Sequence, residues 1–391
     1  MTIDANRQFE GHEQEKAKAE GKTTPLWKRW FVRVPATVVG VLLSLAFMAS
    51  AFFDPSIADG RLHLSPRFSI GAWMADLPHH LLWVIPFAAC AAAVLPLRAL
   101  SWGLALGPRR APPFRERYHA VAAGAFVHNA LPGQLGDLCR AQLAARRHGL
   151  PLFEGFGSAL VCKLFEFLAL IALVGISCLL TTAGAGLHGL DSAVLIAAAL
   201  FGVLAALSWS LARWTGPLAR WLEARGRLPR LRGVLENLGK GLAPIRSLRQ
   251  SGRLALASLG PVVAPALGYG LALSALGVPN GLLLGPLLLG AITLSQFNVG
   301  LPIGVGMYYL SASWAARALG VPDGDAAALA LLTHLTTVIT HLAVGFVSIV
   351  LYRVRLRDFL PSRARRSKAP PDSSTPSTPR ELDSMEAEAI P

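Results

Sequence analysis

The feature that most constrains this chain is a set of apolar runs close to bilayer length. A hydrocarbon core about 30 Å thick takes about 20 helical residues to cross, and runs of that order lie at 36–53, 80–97, 155–180, 192–212, 254–277 and 325–352. Two further stretches, 118–149 and 280–319, begin apolar, are broken by Pro and Gly, and end amphipathic. They read as re-entrant hairpins or paired short helices, because broken backbone at membrane depth must be buried in protein or line a wet cavity. The expected fold class is an all-α polytopic membrane protein with about six full spans plus two hairpins. With 53% hydrophobic and 15% charged residues, a single soluble domain is excluded.

The 37 Lys and Arg against 23 Asp and Glu give a net charge of +14. These cations gather in the segments between apolar runs, where the positive-inside rule places them, so nucleic acid is not an expected partner. Lys28, Arg29 and Arg33 put segment 1–33 in the cytoplasm, and its mixed charges make the first run a retained anchor rather than a signal peptide. Arg98, Arg109, Arg110, Arg115 and Arg117 precede the first hairpin and Arg146 and Arg147 follow it, so that hairpin opens on the inner face. The segment 181–190 has no Lys or Arg and goes outside, whereas the linker 213–253 carries ten and returns inside. Apolar residues near helical spacing in that linker (Leu218, Trp221, Leu222, Leu228, Leu231, Leu235, Leu238) suit an amphipathic helix on anionic inner-leaflet headgroups; a solvated basic connector is the alternative. The tail 353–391 is basic, then Pro/Ser/Thr-rich and acidic, and is expected to be disordered and cytoplasmic from 361. Cys90, Cys139, Cys162 and Cys178 show neither disulfide nor zinc spacing, so no metal or cofactor is expected.

The two hairpins resemble each other. Asn129-Ala-Leu-Pro132-Gly-Gln-Leu-Gly136 leads to Ala-Ala-Arg146 and Gly149-Leu-Pro151, and Asn298-Val-Gly-Leu-Pro302-Ile-Gly304-Val-Gly306 leads to Ala-Ala-Arg317 and Gly320-Val-Pro322. The offset runs from 169 to 171 residues. Within a transmembrane domain at 34–352, the units 78–182 and 254–352 have opposite predicted orientations, an inverted-topology repeat of the kind that gives alternating access.

Charges inside apolar sequence point to a site. Lys163 and Glu166 lie one turn apart in the third span, where each costs about 2.5–3.5 kcal/mol at mid-helix, and they can pair with each other. A snorkelling Lys163 is the structural alternative. Asp137 and Arg140 follow the Pro132-Gly133 break, where a new helix N-terminus beside an Arg suits a phosphate; an ordinary surface pair is the alternative. His334 and His341 share a helix face with several Thr and suit hydrogen bonding across the bundle or a polar path better than metal binding.

Asn129, Leu131, Pro132, Gly133, Gly136, Arg140, Lys163 and Glu166 resemble the first motif of the flippase-like family related to the membrane half of lysylphosphatidylglycerol synthases. Leu301, Pro302, Gly304 and Gly306 resemble its second, with departures at Gln134, where Arg is common, and at Tyr308 and Tyr309, where an acidic residue is frequent. The resemblance implies translocation of a lipid between leaflets of a bacterial inner membrane, without the aminoacyl-transferase domain of the bifunctional relatives. The site residues expected to hold a lipid with an anionic or glycosylated headgroup are Asn129, Pro132, Gly133, Gly136, Asp137, Arg140, Lys163, Glu166, Asn298, Pro302, Gly304, Gly306, His334 and His341. No enzyme motif is found; an intramembrane lipid-modifying transferase and a non-transporting scaffold stay open as alternatives, as does a homo-oligomer.

Overall fold

A computed structural model describes residues 26–58, 61–67, 77–131, 135–182, 190–225, 229–296 and 304–355, with the single positions 71, 75 and 358. The N-terminal segment before residue 26 and the tail expected to be disordered lie outside the described residues, as do Pro132, Gly133, Asn298 and Pro302.

Helix α1 (Leu26–Phe52) runs into a short antiparallel hairpin, β1 (Phe53–Ala58) with β2 (Arg61–Pro66), pairing Phe53 with Pro66 and Ala58 with Arg61. An all-α reading misses this hairpin. Arg67 clasps its open end, bonding through Nη2 to Asp54 Oδ1 at 2.8 Å and through its backbone N–H to Phe52 O at 2.8 Å. The same guanidinium lies 3.6 Å from Asp323.

The first expected repeat unit comprises α2 (Leu77–Leu106), α3 (Phe114–Ala130), α4 (Gly136–His148) and α5 (Leu152–Thr182). Then come α6 (Leu190–Ala224), α7 (Pro229–Gly241) and a 3-10 turn at Ala243–Arg246. The second unit comprises α8 (Leu248–Ala275), α9 (Gly281–Ser295), α10 (Gly304–Ala318) and α11 (Asp323–Leu351). The stretches expected as hairpins are thus pairs of short helices.

Among the described residues four helices are long and apolar enough to cross a membrane, drawn from α2, α5, α8 and α11. The runs 36–53 and 192–212 fall within α1 and α6. Several helices overshoot the apolar runs that predicted them; α2 continues past residue 97 to Leu106. Pro86 and Pro96 lie inside α2, and Pro261 and Pro265 inside α8, as membrane helices tolerate when neighbours take up the freed carbonyls.

Small residues let the helices approach. A Cβ on Gly268 would sit 2.9 Å from the Phe87 ring and one on Gly260 would sit 3.1 Å from Leu97, so α2 and α8 cross antiparallel. Helix α11 lies on α3, where a Cβ on Gly345 would come within 2.6 Å of Ala122 O. Helix α9 lies on α5, where Ser177 bonds the Leu283 carbonyl. Two cores result. One gathers Trp83, Phe87, Tyr269, Leu288, Tyr308 and Leu329, and the other Leu95, Trp102, Val121, Leu143, Val161 and Leu254. Large apolar side chains left outside them, including Leu82, Ile85, Leu179, Ile339 and Val350, are exposed as lipid-facing residues would be.

The linker expected as an amphipathic surface helix or solvated connector is largely helical and packed. Helix α7 lies against α5 and α6, with Leu238 beside Gly157, and Leu242 is fully buried. Leu218, Trp221 and Leu231 remain exposed.

Candidate functional site

The charged residues converge where α2, α4 and α5 meet. The first step is local. The chain breaks after α3 and restarts at Gly136, whose missing side chain is required: a Cβ there would lie 2.6 Å from Gly124 O and 2.9 Å from His128 Cβ. This backbone-to-backbone contact of α4 on α3 carries Asp137, in the first turn of α4, against α5. At its other end α4 stops at Gly149, held left-handed at φ 65°.

Asp137 bridges two cations. Its Oδ1 accepts from Arg140 Nη2 at 3.0 Å, as the one-turn spacing led one to expect, and its Oδ2 lies 2.5 Å from Lys163 Nζ on α5. Glu166, a turn beyond Lys163, faces α2 instead. Arg98 grips it in fork geometry, with Nε 3.2 Å from both carboxylate oxygens and Nη2 3.0 Å from Oε2. The expected Lys163–Glu166 pair is therefore replaced by two bridges between helices. The reason is geometric: a guanidinium on a facing helix offers two parallel bonds that an ammonium on the same helix cannot.

Arg140 is the most enclosed of the five, 4% exposed. Its guanidinium lies 5.2 Å over the Trp102 ring, and Trp102 Nε1 is tied to Ser158 Oγ at 2.8 Å. Arg140 Nε is buried without a hydrogen-bond partner among the described residues. Lys163 and Arg98 keep more than a third of their side chains exposed, whereas Glu166 keeps 12%. Three cations thus face two carboxylates, and the two more open groups are cationic. The arrangement can take up an anion without first shedding a counter-ion.

The other expected site residues divide between this cluster and a second region. Asn129 donates to Ala125 O at 2.8 Å and lies 3.5 Å from His341 Nδ1, so these two residues of opposite halves meet. His341 Nε2 is 3.3 Å from Ala91 O. His334, although seven residues away on α11, does not join them; its Nδ1 lies 2.9 Å from the Tyr309 hydroxyl and its ring stacks on Tyr308. Gly304 opens α10, and Gly306 packs on α1, where its N–H donates to Ser44 Oγ at 2.9 Å.

Arg98 escaped the sequence reading because it follows directly on the apolar run and counts there as a loop charge. The signal that would have found it is the further apolar stretch Trp102, Leu104 and Leu106, which carries the helix on.

A family model described as the lysylphosphatidylglycerol synthase TM region matches residues 37–345. The chain belongs to that family. The match takes in all five charged residues and both hairpins, so the cluster lies within the membrane region that defines the family. No curated protein and no solved structure matches the chain.

Proposed function

We propose that this member of the lysylphosphatidylglycerol synthase TM-region family is a carrier that moves a lipid with an anionic or glycosylated headgroup between leaflets. The observation that carries the reading is the excess of cations at the α2–α4–α5 junction, with Arg140 Nε buried and without a hydrogen-bond partner among the described residues. A headgroup phosphate would be held by Arg140, Lys163 and Arg98, close to the N-terminus of α4, whose helix dipole favours negative charge. Asp137 and Glu166 offset two of the three positive charges when no lipid is bound, which leaves one for the headgroup.

Two features support alternating access. The antiparallel crossing of α2 on α8, with α3 on α11 and α9 on α5, gives the reciprocal packing an inverted repeat would have. In the charged cluster Lys163 and Arg98 keep more than a third of their side chains exposed, whereas Tyr269, Tyr308 and Tyr309 are buried, an asymmetry between the halves that alternating access would use. By its charges the side of the first hairpin is the cytoplasmic face of an inner membrane, both termini lie there, and α7 with its basic neighbours rests on anionic headgroups.

The test is reconstitution into liposomes carrying labelled anionic, zwitterionic and polyprenyl-linked lipids, with leaflet exchange followed by dithionite quenching. Exchange that depends on the wild type and falls at least tenfold in Lys163→Ala, with partial recovery in Lys163→Arg, is the expected result. Absence of exchange for every lipid by folded protein refutes the carrier reading and returns weight to a transferase or scaffold.

A further inference from the structure

The four residues of the ion cluster that pair across helices have counterparts in the other half at one constant spacing. Position 171 beyond Arg98 is Tyr269, beyond Asp137 is Tyr308, beyond Lys163 is His334 and beyond Glu166 is Thr337. The helices bearing Arg98, Lys163 and Glu166 keep the same spacing at their starts, Leu77 with Leu248 and Leu152 with Asp323, whereas α4 and α10 start at Gly136 and Gly304, and Tyr308 stands two residues after Gly306 where Asp137 stands one after Gly136. Where the first half places charges, the second places neutral groups that both donate and accept hydrogen bonds.

Three of these counterparts are assembled. Tyr308 OH lies 2.8 Å from Tyr269 OH and 2.9 Å from Thr333 Oγ1. Its ring stacks on His334 at a centroid distance of 4.6 Å, and Tyr309 bonds His334 through its hydroxyl. The three tyrosines are at most 8% exposed. A hydrophobic core of this size needs no chain of hydroxyls, since each buried polar group must find a partner merely to break even.

We propose that the Tyr269–Tyr308–Tyr309–His334 cluster is a second headgroup station, the neutral counterpart of the ionic one, which takes the hydroxyls of a polyol headgroup. This rests on the carrier reading above. Hydroxyls are donors and acceptors at once, and phenol and imidazole groups match both roles, whereas a bare phosphate needs the cations of the other half. In the present state the cluster satisfies itself; opening of the second half exchanges its internal bonds for bonds to the headgroup.

The test compares phosphatidylglycerol with phosphatidylpropanol, which carries the same phosphodiester charge and no hydroxyls. Native mass spectrometry of full-length protein in micelles counts the lipids retained. The wild type should prefer phosphatidylglycerol by about three- to tenfold, the worth of a neutral hydrogen bond or so. Tyr308→Phe should abolish the preference while Lys163→Ala weakens retention of both lipids. Tyr309→Phe, which disturbs no other hydroxyl, serves if Tyr308→Phe lowers thermal stability, and should show the same loss of preference. Equal retention of the two lipids by the wild type, or a preference untouched in both Phe variants, overturns the assignment. Displacement of the bound lipid by equimolar glycerol 3-phosphate also overturns it, since the site would then take a free polyol phosphate. A hydroxyl-dependent preference without leaflet exchange would overturn the carrier reading and leave the second station standing.

Discussion

Breaking the Arg98–Glu166 bridge should reveal how far the site depends on a contact between helices. Replacing Arg98 by Met keeps an unbranched apolar stem on α2 and removes the fork that reaches Glu166 on α5. It leaves a carboxylate 12% exposed with three bonds between 3.0 and 3.2 Å unmade. Removing one partner of a fully buried pair costs about 3–5 kcal/mol, and an exposed pair is worth about 0–1 kcal/mol. Because Arg98 is itself 37% exposed, solvent screens part of the interaction. The expected loss for Arg98→Met is therefore intermediate, about 2 kcal/mol. Glu166→Met should cost less, about 1 kcal/mol, since Arg98 can turn its open edge to water. The double variant removes the unpaired carboxylate as well and should return to within about 1 kcal/mol of wild type. Denaturant unfolding in mild detergent, followed by tryptophan fluorescence, measures all three. The cycle should give a coupling of at least about 2 kcal/mol. Additive effects would refute the reasoning, because they would mean that neither group depends on the other for its burial.

Gly136→Ala should destabilise the protein by about 1–3 kcal/mol and lower lipid exchange together, since the new Cβ meets backbone on α3 that cannot give way; a thermal midpoint equal to wild type would contradict this. Arg147→Ala should loosen the end of α11, where Arg147 Nη2 donates to Tyr352 O at 2.8 Å and the guanidinium sits 4.1 Å over the Tyr352 ring. Hydrogen exchange should rise over residues 349–354, at a cost of about 1–2 kcal/mol. Trp102→Phe should cost about 1–2 kcal/mol by removing the bond from Trp102 Nε1 to Ser158 Oγ, which keeps only its own bond to Gly155 O, and the better cation–π face from Arg140, as thermal unfolding of the solubilised protein would register.

Much of the architecture is legible in the sequence. Helix periodicity and apolar run length are local properties, so α2, α5, α8 and α11 could be placed to within a few residues at most ends. The Pro-Gly breaks marked the paired short helices, and Gly149 and Gly320, both at positive φ and each followed two residues later by Pro, marked where α4 and α10 end. Overshoot of α2 was less legible, because Arg98 ends an apolar run without ending a helix. A residue's hydropathy tells its cost in lipid and says little about whether hydrogen bonding continues through it. The short β-hairpin was also missed, since its order comes from the Arg67 clasp to Asp54 and Asp323 rather than from an alternating apolar pattern.

The residues alone require that this chain bury its backbone within helices in a bilayer, mark where those helices break, and put Asp137, Arg140, Lys163 and Glu166 in or beside apolar sequence. Family membership followed from the same residues. Which charge meets which is settled by the packing of the helices. Lys163 and Glu166 stand one turn apart and look like partners, yet Asp137 takes the first and Arg98 the second. Pairing inside a low-dielectric bundle is settled by the distance and angle between facing helices, and those depend on close approaches such as Gly136 on Gly124. Such approaches join residues far apart in the chain, and no local pattern encodes their geometry.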